Sequence, residues 1–346
     1  MTIVCPAPLA TADRVQLGHG SGGKMSAALI RDRFLPHLSN DILAQLGDAA
    51  IVDVAGQALA ISTDTFVVQP LEFPGGNIGS LAVHGTVNDL AMMGARPQWL
   101  SAGFVLEEGL PLDVLDRVVQ AMAEAARAAG VLLVAGDTKV VERGKADGIF
   151  INTTGVGLRP ATFAPAPARA RAGDAVIVSG PIGRHGIAIM TAREGLAFEA
   201  EVTSDSAALT PLVDALRARV GDAVHTLRDP TRGGVASALN EIAAAAHVGI
   251  VLDESALPIP APVAAACEML GFDPLYVANE GILLAFVAEA AAEAALSALR
   301  THPLGRASAR IGRVVPDHPD LVVLETGIGG TRVVDMLPGD QLPRIC

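Results

Sequence analysis

The chain has 346 residues, 51% of them hydrophobic but only 3% aromatic, and a formal net charge of −12. That length predicts two domains with aliphatic cores, and an acidic balance without any Lys/Arg-rich run excludes nucleic acid or an anionic membrane surface as the main partner. No signal pattern opens the chain, no uncharged apolar run reaches the about 18 residues of a membrane span, and Cys5, Cys267 and Cys346 lack metal-ligand spacing.

A cytoplasmic protein of a reducing compartment is therefore expected. In chain order, residues 1–16 read as a loose arm carrying Cys5-Pro6-Ala7-Pro8. A Gly-rich stretch, Gly18 to Lys24, precedes a predicted helix over 27–38. Short apolar runs at 49–54 and 58–62 around Gly56-Gln57 predict a hairpin whose second strand runs into Thr63-Asp64. A turn-rich loop over 70–79 leads into a helical pattern over 78–93, interrupted by His84, Asn88 and Asp89. A strand is predicted over 100–106 and a helix over 112–129, where Leu112, Leu115, Val118, Met122 and Ala126 recur at helical spacing and Gly130 stops it. A buried strand over 131–135 ends in Gly136-Asp137-Thr138-Lys139, and another strand spans 150–157.

The Pro- and Ala-rich stretch between Arg159 and Gly173 reads as a linker. Beyond it, strands are predicted at 175–179, 249–252, 282–287, 310–315, 321–324 and 331–334. Helices are predicted over 184–194, 206–219, 233–246, 262–270 and 288–299. Cys267 on the helix at 262–270 reads as a small buried hydrophobe, and Trp99 as a packing residue. Both halves mix helices with antiparallel signals, so the fold class is α+β: an arm at 1–16, an N-terminal domain over 17–160, a C-terminal domain over 170–335 and a tail over 336–346.

Gly18-His19-Gly20-Ser21-Gly22-Gly23-Lys24 approaches the phosphate-loop pattern, but Met25 stands where Ser or Thr would hold magnesium, and the run over 15–17 is short for the preceding strand. Four glycines in seven residues still let backbone N–H groups converge on an anion; a plain flexible turn is the alternative. Asp64, Asp89, Asp137 and Asp229 each end an apolar run. One such aspartate is an ordinary cap or turn former; several beside Gly-rich loops suit Mg²⁺ that bridges nucleotide phosphates. Lys139 is a candidate to neutralise a transferring phosphoryl group or to hold a carbonyl oxygen, against a solvated loop lysine. Glu280, just before an apolar strand, is a candidate general base, against a turn carboxylate. Cys346 stands in the last position, where a thiol on a tether is either incidental or a nucleophile.

These motifs, in order, are Gly20-Ser21-Gly22-Gly23, Ser62-Thr63-Asp64, Phe73-Pro74-Gly75-Gly76-Asn77-Ile78-Gly79, Asn88-Asp89, Gly136-Asp137-Thr138-Lys139-Val140-Val141, Arg228-Asp229-Pro230-Thr231-Arg232-Gly233-Gly234, Asn279-Glu280-Gly281 and Pro343-Arg344-Ile345-Cys346. Together they resemble the HypE family of hydrogenase maturation factors, the carbamoyl dehydratases, within the superfamily of aminoimidazole ribonucleotide synthetase and selenophosphate synthetase. The resemblance covers about residues 17–346.

It implies two α+β domains, the first closing a barrel with its twin in a homodimer. It also implies ATP bound through Gly20, Ser21, Gly22, Gly23, Lys24, Asn88, Thr138, Thr231, Arg232 and Gly233, with Mg²⁺ on Asp64, Asp89, Asp137 and Asp229. Catalysis would fall to Cys346, Lys139 and Glu280. A carbamoyltransferase, HypF, would load Cys346; ATP-driven dehydration would turn the thiocarbamate into a thiocyanate; and a HypC–HypD complex would receive the cyano group for a [NiFe]-hydrogenase iron centre. The tail would be docked or extended according to ligand. The alternatives are another enzyme of the superfamily phosphorylating a small nucleophile, or a nucleotide-gated scaffold in which Cys346 is never modified.

Overall fold

The computed structural model describes residues 14–195, 202–337, 339 and 344–346. Nearly all of the expected arm, with Cys5, lies outside them, as do parts of the tail. The Gly-rich stretch carries a 3₁₀ turn (Leu17–Gly20) and enters α1 (Lys24–Leu29), which continues through a π-helical stretch (Ile30–Phe34) into α2 (Leu35–Leu38). β1 (Ala50–Val54) and β2 (Gln57–Phe66) form the expected hairpin. Ala55 and Gly56 both take positive φ, at 54° and 82°, the conformation a two-residue hairpin turn demands, and Asp53 Oδ1 accepts the Gly56 N–H.

The loop at 70–79 holds the two-residue strands β3 (Glu72–Phe73) and β4 (Gly76–Asn77), then caps α3 (Ile78–Met92). Asn77 Oδ1 accepts from the Gly79 and Ser80 N–H groups, and the Ser80 hydroxyl oxygen accepts the Asn77 N–H. α3 is apolar nearly all round because it is covered nearly all round. Beneath it lies a sheet with strand order β1-β2-β7-β5-β6, built with β5 (Arg96–Glu107), β6 (Leu132–Val141) and β7 (Ile149–Leu158). Beside it packs α4 (Leu112–Ala129), ended by Gly130 at φ 70°. The end of α3 reaches further: Ala91 and Met92 share a core cluster with Leu212, Leu216 and Leu299 of the second half.

That half contains a second sheet, order β14-β13-β10-β12-β8-β11-β9, from β8 (Asp174–Val178), β9 (Val224–Arg228), β10 (Gly249–Asp253), β11 (Leu284–Ala288), β12 (Ala309–Val315), β13 (Val322–Glu325) and β14 (Thr331–Val333). α7 (Gly234–Ala246) covers one face, while α6 (Thr210–Val220) and α9 (Ala292–Arg300) cover the other. α5 (Arg184–Glu194) and α8 (Ala261–Leu270) pack toward the first half, and Cys267 is buried there. The α+β class with two sheeted halves holds; the first sheet is open within one chain.

Three local expectations need correction. The strand expected to be buried at 131–135 is β6, and it is exposed: Leu132, Val134 and Val140 are 65%, 60% and 68% accessible. Among the described residues it pairs only with β5, at the sheet's edge. Trp99, expected as packing, is 44% accessible opposite Leu132 on β5. An apolar run does not by itself mean burial within the same chain. The expected linker is also not loose: Phe163 within it is buried against the second half, and a 3₁₀ turn follows (Pro167–Arg169).

Candidate functional site

The site lies where the ends of strands from both halves meet. Asp64 comes from β2, Asp89 from α3, Asp229 from the residue after β9, and Asp48 from the loop before β1. Carboxylate oxygens of Asp48, Asp89 and Asp229 lie within 4.8 Å of one another. Asp89 Oδ2 also accepts a hydrogen bond from the Ser62 hydroxyl at 2.6 Å. Arg228 crosses behind them, paired with Asp48 and, at 2.6 Å, with Glu241.

Gathering these acids where water is scarce is costly, and their proton affinities record it. Burial first, then neighbouring carboxylates, push Asp48 up to about 8 against the pull of Arg228. Burial raises Asp229 to about 6. Asp64 is raised and Asp89 raised well above the usual range, again chiefly by burial. Asp48 Oδ2 and Asp229 Oδ2 are buried with no hydrogen-bond partner among the described residues. Clustered acids with orphaned oxygens have the hard-oxygen donor set that Mg²⁺ takes.

Next to the cluster sits Glu280, 2% accessible, its Oε1 also without a partner among the described residues. Burial, then Asp229 and Asp205, hold its pKa well above the usual carboxylate range. Its backbone is pinned by Asp205, whose carboxylate accepts the N–H of both Glu280 and Gly281 at 3.2 Å.

The tail is docked against this acid. Glu280 is within hydrogen-bonding reach of the Cys346 thiol, which is pushed up first by desolvation and then by the Glu280 carboxylate. The main chain of the last residues runs along 67–69: the Val67 N–H donates to the Cys346 oxygen and the Gln69 N–H to the Arg344 oxygen, both at 3.2 Å. A cavity of about 300 Å³ opens beside the thiol, lined by Gly20, Ser21, Gly23, Arg232, Gly233 and Cys346 among others. Arg232 Nη1 donates to the Gly20 oxygen at 3.2 Å, tying the Gly-rich loop to the β9–α7 turn. Gly22 takes φ 75°, and a Cβ there would meet Arg232 at 2.9 Å.

The structure thus gathers Asp64, Asp89, Asp229, Glu280, Cys346, Gly20, Ser21, Gly23, Arg232 and Gly233. Thr231 lies in the same turn, its N–H on the Asp229 oxygen. Lys24 points aside to Asp335. Asn88 is buried and engaged: its Oδ1 accepts the Leu209 N–H at 2.8 Å and its Nδ2 donates to the Ala207 oxygen at 3.0 Å.

Asp137, Thr138 and Lys139 stand apart on exposed β6, with Lys139 paired to Asp137 at 3.0 Å. Across the sheet, Asp64 aligns with Thr153, Ala102 and Gly136, so β6 is three strands from β2, about 14 Å. Three contributors escaped the sequence reading. Gly47-Asp48 looks like any turn, Asp205 follows no motif, and His185 sits in an ordinary helical pattern. The one available signal was the same for Asp48 as for the other acids, an aspartate bordering an apolar strand.

Residues 46–159 match the family model of the AIR synthase related protein, N-terminal domain, and residues 171–324 that of its C-terminal domain. A carbamoyl dehydratase HypE of Cupriavidus necator is 55% identical over 334 residues, covering 96% of this chain and 95% of that protein. A chain in a crystal structure of a HypE–HypF complex superposes with a TM-score of 0.85 at 45% identity, over 90% of this chain and 100% of that one. A crystal structure of HypE in complex with ATP gives a TM-score of 0.81 at 52% identity, over 96% of this chain and 100% of that one.

Proposed function

Because the chain belongs to the HypE family of carbamoyl dehydratases, we propose that it dehydrates a carbamoyl group carried on its own Cys346, at the expense of ATP, to a thiocyanate. The observation that carries this reading is the docked tail: the only thiol near the carboxylate cluster, among the described residues, is set against a buried carboxyl and opens on a Gly-lined cavity.

ATP would enter the cavity with its phosphates against the Gly20–Gly23 backbone and Arg232. Mg²⁺ would be held by Asp48, Asp89 and Asp229, with Asp64 adjacent, and would supply charge neutralisation at the phosphates. The carbamoyl oxygen attacks the γ-phosphorus and ADP leaves, making the oxygen a phosphate ester and so a good leaving group. Removal of the N–H protons then lets the C–O bond break, phosphate depart and S–C≡N form. Glu280 is placed to take a proton. Its proton affinity is raised chiefly by burial, then by Asp229, Asp205 and Asp64, while Arg232 pulls it down; offsetting the charge of Asp229 and Asp64 would move it toward the ionised form. The same environment makes the docked thiol a poor nucleophile, so carbamoyl loading belongs to an extended tail. Residues 336–346 could span roughly 33–40 Å when extended.

A HypF-like carbamoyltransferase would do the loading, in line with the HypE–HypF complex among the similar structures. A HypC–HypD complex would take the cyano group. Pairing of two chains through exposed β6 would cover Leu132, Val134 and Val140, close the open sheet into a shared barrel and let Asp137, Thr138 and Lys139 of one chain approach the site of its twin.

The direct test is intact mass after incubation with the carbamoyltransferase, carbamoyl phosphate and MgATP. Gain of one carbamoyl group followed by loss of one water, both absent in Cys346→Ala, is the expected result. ATP consumption without any adduct on Cys346 would overturn it.

A further inference from the structure

We propose that His185 is a positioning residue that clamps the tail in its docked register and so sets Cys346 against Glu280. Its functional meaning rests on the dehydratase reading above. His185 lies on α5, in neither motif nor carboxylate cluster, and its side chain is fully buried. Its Nε2 is 2.6 Å from the main-chain oxygen of Ile345, one residue from the thiol. A carbonyl can only accept, so Nε2 carries the proton. Nδ1 is then left to accept, and the Ser204 hydroxyl meets it at 2.8 Å. The ring is also wedged edge-on against Phe73, with centroids 5.6 Å apart. Burial lowers the imidazole to about 4, so this neutral tautomer persists across the working pH range.

The clamp is joined to the base it serves. Ser204 accepts the Ser206 N–H and donates its own N–H to the Pro74 oxygen at 2.8 Å. The intervening residue, Asp205, is the one that grips the Glu280 and Gly281 N–H groups. One short segment therefore fixes both the tail, through His185, and the backbone of Glu280. Ile345 adds an apolar anchor, its side chain buried in the same cluster as Ile187. No other side chain in the described structure reaches the Ile345 oxygen.

Alkylation of Cys346 by iodoacetamide in the full chain tests this, followed by mass spectrometry on the fragment that carries Cys346. The docked thiol is desolvated, so the rate reports the undocked fraction. His185→Leu should react about tenfold faster than wild type, the factor one buried hydrogen bond supplies. His185→Gln, whose amide nitrogen can reach the same oxygen, should stay within about threefold of wild type. In single turnover from a preloaded tail, His185→Leu should slow dehydration by less than about twofold, because the docked state remains the majority, with the half-saturating MgATP concentration unchanged.

Should His185→Leu fail to show a cooperative melt, Ser204→Ala decides: it removes the partner that fixes the tautomer, along with the acceptor of the Ser206 N–H, and leaves the ring in place; it should also react faster than wild type. Wild-type alkylation in a folded His185→Leu, or in Ser204→Ala if that is the variant that folds, would overturn the clamp. An alkylation contrast in a chain that never dehydrates would leave the clamp standing and remove the dehydratase reading instead.

Discussion

At the level of single side chains, the proposed reaction rests on Glu280 and the carboxylates around it. A general base is worth about 10²–10⁴ in rate, so Glu280→Gln should lower ATP-dependent dehydration by about that factor while leaving carbamoyl loading intact. Intact mass would then show the carbamoylated chain accumulating without loss of water. The acid cluster makes a pH prediction with a definite sign. Asp48 and Asp229 have folded values raised to about 8 and about 6. A raised carboxyl favours folding below its unfolded value near 4 and loses that contribution as pH rises toward the folded value. Metal-free protein should therefore melt progressively lower between about pH 4 and about pH 8. Mg²⁺ should raise the melting midpoint more at pH 8 than at pH 5, and Asp48→Asn should lose most of both effects. Calorimetry at the two pH values, with and without chelator, reads it directly.

Elements formed as the local pattern predicted wherever neighbours in sequence hold them. α4 matches its expected span because its apolar stripe and its Gly130 stop are both local, and the β1–β2 hairpin follows from Ala55-Gly56. β9 was not singled out: buried Val224–Arg228 includes His225, whose ring is satisfied by Asp174, a partner distant in sequence. Helix-on-helix contact yields a further prediction. α3 and α4 pack so closely that a Cβ on Gly79 would overlap the Val118 oxygen. Gly79→Ala should cost about 1–3 kcal/mol, the usual range for overpacking, despite its better helix propensity. Urea unfolding measures it, and wild-type stability would show that the helices can separate freely.

For the molecule as a whole, the outstanding feature is an apolar sheet edge left open to solvent. Leu132, Val134 and Val140 on β6, with Trp99 beside them, form an edge strand of the kind that soluble proteins usually cover or blunt with charge. Val134→Lys should turn a dimer into a monomer in sedimentation and lower ATP turnover at least about tenfold if Lys139 acts across the interface, a change of the size one charge-assisted contact provides. A monomeric wild type would refute the shared-barrel arrangement. Mixing inactive Lys139→Ala with inactive Glu280→Gln offers a complementary check: hybrid dimers should recover part of the activity, because each would retain one intact site.

The order of residues already specified the α+β class, most strands and helices and the Gly-rich loop, and it marked Glu280 and the terminal Cys346 as separate candidates. These follow from hydrophobic period, turn chemistry and motif order, which are properties of near neighbours. The convergence of Asp48 with Asp89 and Asp229, the separation of Asp137 and Lys139 onto an outer strand, the burial of Phe163 and the grip of His185 on the tail were not legible there. Each is a meeting of residues from different elements, placed by strand order and by the packing of one half on the other, and neither is encoded in spacing along the chain.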